Sequence, residues 1–343
     1  MINVILYISA ILLVYFGVEI FRRWSLRRNF FDIPNERSSH TEPTPRGGGL
    51  IIDLVCLALF LFYCLVFRVD IFWSYFIGAV IVALISWLDD LFSVPVIWRF
   101  LCHSAAAILV IWGLGFWEEV YIPFGGIIHF GQIGQIITFF WIVWMINAYN
   151  FMDGIDGIAS AQAFTAGIGW LVAGILLGVE NTGFYGGLIA FTSVGFLIHN
   201  WQPAKIFMGD VGSAFLGYTF AVLPLMALKE SKGDSSFFPV IGVALVLLFV
   251  FDTIITLMKR IGRLEKIWRA HRTHIYQKLV ISGFSHQRVT IIYAILSLTI
   301  LILLIFWIQN HRAFKDFVFL IIFLQLICLL IYSYGRKTLK TTK

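Results

Sequence analysis

The sequence predicts an all-α, polytopic integral membrane protein with about 11 transmembrane helices. Three observations predict it. Of 343 residues, 60% are hydrophobic and only 13% are charged, against about 25% charged in an average soluble domain. The mean hydropathy is +0.89. Apolar runs near the roughly 20 residues that cross a bilayer recur along the whole chain. In hydrocarbon the backbone has no water to bond, so each run is read as a helix.

The first run, 2–20, has no basic segment before it and is followed by Arg22 and Arg23 instead of a small-residue cleavage site. It reads as a retained helix, not a signal peptide. Runs at 48–67 and 71–88 follow, and the second ends in the acidic pair of ISWLDDLFSVP. Runs at 96–115, 132–149 and 158–178 come next, the last two separated by NAYNFMDGIDGIAS. Runs at 183–199 and 213–228 flank KIFMGDVGSAFLG, and 237–258, 289–309 and 316–334 complete the set. Together they make one membrane-embedded domain, 1–343.

Lys and Arg set the expected orientation. With the N-terminus outside and the C-terminus cytoplasmic, 20 of the 25 basic residues face inward. Six lie in 21–47, eight in 259–288 and four in the C-terminal tail, with Arg99 and Lys205 between. Only Arg68, Lys229, Lys232, Arg312 and Lys315 face outward. The net charge of +6 is thus a face charge suited to anionic headgroups and substrates, and no nucleic-acid partner is expected. The four cysteines all fall in apolar runs without a CxxC and read as core residues.

This topology gives cytoplasmic loops at about 21–47, 89–96, 150–157, 200–212 and 259–288, and it gathers five aspartates on one face. Ionisable groups at a membrane edge point to function by default. Asp89 and Asp90 sit where a helix C-terminus disfavours anions, so a cation or a basic group is expected beside them; a solvated helix end is the plainer alternative. Asn150, Asp153 and Asp156 are spaced i, i+3, i+6, one stripe if helical. Gly154 and Gly157 permit close approach, and a helix starting near Gly157 would offer N–H groups to a phosphate; a polar turn is the alternative. Asp210 stands between two glycines, and hard oxygen ligands suit Mg2+ or Mn2+ over Zn2+. Upstream, Asn200 offers an amide and Phe207 a flat stacking surface. His271 and His274, with Arg269 and Arg272, suggest phosphate contact or proton handling; a basic loop on lipid headgroups is the alternative. Glu19, Asp53 and Asp252 lie inside runs near the same face, with structural and functional readings open. The remaining histidines read as structural.

Clustered carboxylates, a divalent-cation position, basic loops and glycine turns are the equipment for handling a diphosphate. A membrane-face position implies a second substrate that is a lipid. A transporter would instead place its acids near the midplane in repeated halves; neither is present in the sequence.

The order DIPNERSSH, PTPRGGG, LDD, NAYNFMDGIDGIA, GDVGS, DT with a following KR, then a His-bearing basic loop, spans 32 to about 280. It resembles the polyprenyl-phosphate N-acetylhexosamine-1-phosphate transferase family. The resemblance implies transfer of an N-acetylhexosamine 1-phosphate from a UDP-sugar to undecaprenyl phosphate with release of UMP, at the cytoplasmic face of the bacterial inner membrane, by enzymes that often form homodimers. It implies Asp210 as the Mg2+ ligand, joined by Asp153, and Asp89 as base or nucleophile assisted by Asp90. Asn150, Asp153, Gly154, Ile155 and Asp156 would line the nucleoside and diphosphate region, with Phe207 on uracil and Asn200 nearby. His274, His271 and Arg272 would contact phosphates, and Arg46 of PTPRGGG joins the substrate-binding set. The phospho-MurNAc-pentapeptide transferase branch carries a His triplet where this chain has His271-Arg-Thr-His274. The AHRTHIYQ form is closer to the O-antigen-initiating branch, whose sugars include GlcNAc, QuiNAc and FucNAc.

Overall fold

Each expected apolar run folds as a helix. The computed structural model describes residues 2–34, 41–233, 236–265, 272–309 and 317–341. In chain order the helices are α1 (Ile2–Arg28), α2 (Gly49–Phe67), α3 (Trp73–Phe92), α4 (Val96–Leu114), α5 (Ile133–Met152), α6 (Ile158–Leu177), α7 (Glu180–Asn200) and α8 (Gly209–Glu230). They continue as α9 (Phe238–Leu245), α10 (Leu247–Gly262), α11 (Ile275–Ile281), α12 (His286–Gln309) and α13 (Phe317–Thr341). Among the described residues, nine helices are long and apolar enough to cross a membrane, α1 to α8 and α12. The pair α9 and α10, bent by 76°, makes a tenth span. The eleventh expected run is α13, whose described apolar stretch is Ile321–Leu330.

Two departures have local causes. The 21–47 loop begins later than expected, because α1 runs on to Arg28. Glu19 pairs with Arg22 and Arg23, each at 2.8 Å, and such i, i+3 and i, i+4 pairs extend a helix beyond its apolar run. The 237–258 run is two helices, broken at Val246. The break leaves backbone groups unpaired in the membrane interior, where each must find a partner. Gln162 on α6 donates to the Leu245 carbonyl at 2.7 Å, and its own carbonyl accepts from Ser297 of α12 at 2.7 Å.

Helix α8 is the axis of the bundle: 94% of its membrane window is buried. Small residues let its neighbours close on it. Gly212 of α8 meets Gly49 of α2 backbone to backbone, and Gly217 lies against the Met145 carbonyl of α5 at 2.6 Å from where a Cβ would stand. The ends of α3, α5, α7 and α10 and the starts of α2, α4, α6, α8 and α12 meet at one end of the bundle. At the other end a hairpin, β3 (Glu119–Ile122) with β4 (Gly126–His129), pairs Glu119 with His129, where only a loop was expected. A two-residue pair, β1 (Phe31–Asp32) with β2 (Thr44–Pro45), leads into α2.

Candidate active site

The five aspartates belong to one end of the bundle, but each does something different there. Asp89 and Asp90 lie in the last turn of α3, not in the loop after it. Asp89 accepts from the Val94 backbone at 2.7 Å and pairs with Arg99 of α4. The same Arg99 nitrogen reaches Asp210 at 3.4 Å, so one guanidinium joins carboxylates 121 residues apart in sequence. Asp90, 3% exposed, turns the other way. Its two oxygens accept from the backbone N–H groups of Asp210 at 3.2 Å and Val211 at 3.1 Å. It caps α8 from outside that helix, placing an anion where the helix dipole favours one.

The expected cost of an acidic pair at a helix C-terminus is met by two arginines. Arg99 neutralises Asp89, and Arg46 donates to the Asp90 carbonyl while lying 5.2 Å from the Phe30 ring centroid. Arg46 is held there by backbone pairing of 45–49 with 207–208. Phe207 donates to the Pro45 carbonyl at 2.8 Å, Gly48 to the Phe207 carbonyl at 3.0 Å, and Gly49 to the Met208 carbonyl at 2.8 Å. Gly209 starts α8 at φ +79, and a Cβ on it would stand 2.7 Å from the Asp90 carboxylate. Glycine is required there on both counts.

Asn150, Asp153 and Asp156 do not share a helical stripe. Helix α5 ends at Met152, because Asp153 leaves helical geometry at φ −85 and ψ 46. Asn150 remains on α5 and accepts from the Ser213 hydroxyl at 3.0 Å. Asp153, in the turn, faces Asp210 and Asp90: burial first, then the charges of Asp210, Asp90 and Asp156, push its carboxyl well above the usual carboxylate range. Gly154 packs on the Tyr276 hydroxyl, where a side chain would collide, and Ile155 is buried. Asp156 is buried and bonds to protein: Ala204 N–H at 3.2 Å and His286 at 3.2 Å. Asn200 likewise spends its amide on backbone, accepting from Gly157 at 2.9 Å and donating to Ile206 at 3.0 Å. The Gly157 N–H at the start of α6 is therefore engaged by Asn200. Phe207 stays half-buried at the rim.

His274 precedes α11 and reaches the site through Asp252 of α10. Asp252 is fully buried and accepts five hydrogen bonds: Thr256 at 3.2 Å, His274 Nδ1 at 3.1 Å, Ile275 N–H at 2.8 Å, Tyr276 N–H at 3.2 Å and the Tyr293 hydroxyl at 2.9 Å. This hub docks the 272–277 segment on α10 and orients the imidazole. Tyr276 in turn donates to the Phe151 carbonyl at 2.9 Å, beside Asp153. Arg272 is half-buried in the same segment. His271 lies outside the described residues. Asp53 stands apart, 1% exposed with neither oxygen hydrogen-bonded.

The sequence reading missed Arg99, Tyr276, Tyr293 and the tie from His286 to Asp156. Only Arg99 carried a signal, ten residues after Asp89 at the expected start of the next helix.

Among the described residues no three His, Cys, Asp or Glu side chains converge on one metal position. Zinc, which takes three or four protein ligands, does not fit. Mg2+ takes one or two carboxylates and completes its shell with water and phosphate oxygens. Asp153 and Asp210 fit that pattern: their like charges oppose each other, and among the described residues the cation paired with Asp210 is Arg99, at 3.4 Å.

Comparison with known proteins agrees with this geometry. Residues 72–228 match the model of Glycosyl transferase family 4. A Bacillus subtilis (strain 168) protein described as "Probable undecaprenyl-phosphate N-acetylglucosaminyl 1-phosphate transferase" is 30% identical over 296 residues, covering 85% of this chain and 81% of the relative. A Mycolicibacterium smegmatis protein described as "Decaprenyl-phosphate N-acetylglucosaminephosphotransferase" is 29% identical, covering 83% and 77%. A Lactobacillus johnsonii "Phospho-N-acetylmuramoyl-pentapeptide-transferase" is 33% identical over 197 residues, covering 55% and 57%. With its aspartates, arginines and helix ends arranged as above and a relative of this identity along most of its length, the chain belongs to glycosyl transferase family 4, among the polyprenyl-phosphate N-acetylhexosamine-1-phosphate transferases.

Proposed function

We propose that the protein transfers an N-acetylhexosamine 1-phosphate, GlcNAc-, QuiNAc- or FucNAc-like, from a UDP-sugar to undecaprenyl phosphate. UMP is released, and the product starts a lipid-linked surface glycan such as O-antigen. The site faces the cytoplasm in the bacterial inner membrane, an orientation that the basic-residue asymmetry supports. The observation that carries this reading is the joining of Asp89 and Asp210 by Arg99 at the membrane-edge ends of α3, α4 and α8, with Asp153 at the end of α5 close enough to feel the charge of Asp210.

An oxygen of the lipid phosphate attacks the sugar-bearing phosphorus of the UDP-sugar. One P–O bond forms, the bond to the bridging oxygen breaks, and that oxygen leaves on UMP. Asp153 and Asp210 would hold Mg2+, with Mn2+ an equivalent; when bound, the ion neutralises charge on the diphosphate and leaving group. Asp89 takes any proton from the attacking phosphate and, with Arg99, sets its position. An anionic phosphate oxygen needs little activation, so placement and electrostatics carry most of the rate gain. Asp89 is already engaged by Arg99 and Val94, which favours this role over that of a covalent nucleophile. Asn150 and Phe207 face the nucleotide, and His274, oriented by Asp252, contacts the phosphates.

The test is turnover of purified enzyme with undecaprenyl phosphate and a panel of UDP-N-acetylhexosamines. UMP and a lipid diphosphate sugar should appear together, and Asp210→Asn should abolish both. Unchanged turnover in that variant would remove Asp210 as the metal ligand.

A further inference from the structure

Helix α12 carries none of the reacting carboxylates, yet its first turns make three polar ties into the site end. His286 Nδ1 accepts from the Asp156 backbone N–H at 3.4 Å and lies 3.2 Å from Asp156 Oδ1. The Thr290 hydroxyl donates to the Asp156 carbonyl at 2.8 Å. The Gln287 N–H donates to the Gln202 side chain at 2.7 Å. His286 and Asp156 are each 8% exposed, so the pair is shielded from competing water. Both contacts of Nδ1 are to Asp156, its N–H as donor and its carboxylate as acceptor, so either tautomer of His286 holds the same residue.

The far oxygen of Asp156 accepts from Ala204 N–H at 3.2 Å. That places Asp156 between α12 on one side and the 201–207 loop on the other. The same loop is held by Asn200 through Ile206 and by the Lys205 N–H on the His199 carbonyl at 2.8 Å. It ends at Phe207, whose backbone pairs with Pro45 and Gly48.

We propose that His286 is a positioning residue for nucleotide binding: by holding Asp156 it holds Ala204, and through the 201–207 loop it sets the place of Phe207. This rests on the proposed function for the statement that Phe207 faces a nucleotide. The chain of bonds from His286 to Ala204 does not rest on it. The consequence is asymmetric between substrates. Loosening the loop weakens ground-state binding of the UDP-sugar, which raises its KM with kcat little changed. The lipid phosphate, placed by Arg99 and Asp89 on α4 and α3, is untouched.

Two measurements on the full-length enzyme in detergent or nanodiscs separate the links. The first is hydrogen exchange across 201–207 without substrate. His286→Leu should speed exchange there, and His286→Asn should restore protection, because the Asn side-chain amide, which can accept or donate, takes the place of Nδ1. Exchange unchanged in His286→Leu, or no restoration by His286→Asn, overturns the His286–Asp156–Ala204 chain whatever the enzyme catalyses. The second is steady-state kinetics. His286→Leu should raise KM for the UDP-sugar by about 10-fold, the low end for losing an indirect support, with KM for undecaprenyl phosphate unchanged and rescue by His286→Asn. Faster exchange without a change in that KM overturns the link to the nucleotide. Equal losses for both substrates without rescue would mean a fold defect and overturn it as well. If neither substrate turns over in the wild-type enzyme, the functional reading fails, while the exchange result still decides the chain of contacts.

Discussion

The carboxylate of Asp90 binds two N–H groups in the first turn of α8, on Asp210 at 3.2 Å and on Val211 at 3.1 Å. Two neighbouring aspartates of one motif therefore have separate work. Asp89 is offered to the site with Arg99, and Asp90 anchors the helix that carries Asp210. Asp90→Ala should remove the cap, at about 1 kcal/mol or more of stability, and should also displace Asp210. Thermal unfolding and Mg2+-dependent turnover should fall together. Asp89→Ala should lose turnover with a smaller change in melting temperature. The reverse pattern would exchange the two roles.

Gly209 gives a backbone test of the same junction. Gly209→Ala must hold φ +79 and bring a methyl to 2.7 Å from the Asp90 carboxylate. The left-handed conformation alone costs roughly 1–2 kcal/mol. Loss of activity with a lowered melting temperature is the expected outcome, and a variant as active and stable as the wild type would show that the cap is dispensable.

Asp252→Asn keeps the volume but replaces an acceptor of five hydrogen bonds with an amide that cannot accept all of them. Turnover should fall by about 10- to 100-fold, as when the support behind a functional side chain is lost. His274→Ala in the Asp252→Asn background should then cost much less than in the wild type. Additive losses would separate the two residues.

The Asp153 carboxyl is raised by burial and by its acidic neighbours. A carboxyl raised in the folded state favours its proton there. In metal-free protein the stability is therefore highest below the ordinary Asp range of about 3.9 and declines as pH rises through the raised value. Mg2+ must displace the same proton, so the Mg2+ concentration for half-activation should fall as pH rises. Titrating activity with Mg2+ at several pH values checks this, and Asp153→Asn should flatten the trend.

How much of this could be read from sequence follows from the range of each interaction. The spans were legible because burial in lipid demands apolar runs, and those runs mark α1 to α8, the α9–α10 pair, α12 and α13 closely. The break at Val246 was not, since the stretch around it, 243–251, is uninterruptedly apolar and its rescue comes from Gln162, some 80 residues away. The shared location of the five aspartates followed from counting charges. Their division did not: Asp90 and Asp156 look like Asp89 and Asp153 in sequence, and only the contacts to α8, Ala204 and His286 separate them. Arg99 and Asp252 were in view as a loop charge and an open case, because their partners lie on other helices.

The identity of the nucleotide product tests the central claim most directly. Cleavage at the sugar-bearing phosphorus releases UMP, whereas ordinary glycosyl transfer would release UDP. With purified enzyme, undecaprenyl phosphate, Mg2+ and a UDP-N-acetylhexosamine, the expected result is UMP in equal amount to a lipid diphosphate sugar, lost in Asp210→Asn. Release of UDP, or of UMP without the lipid acceptor, would contradict it.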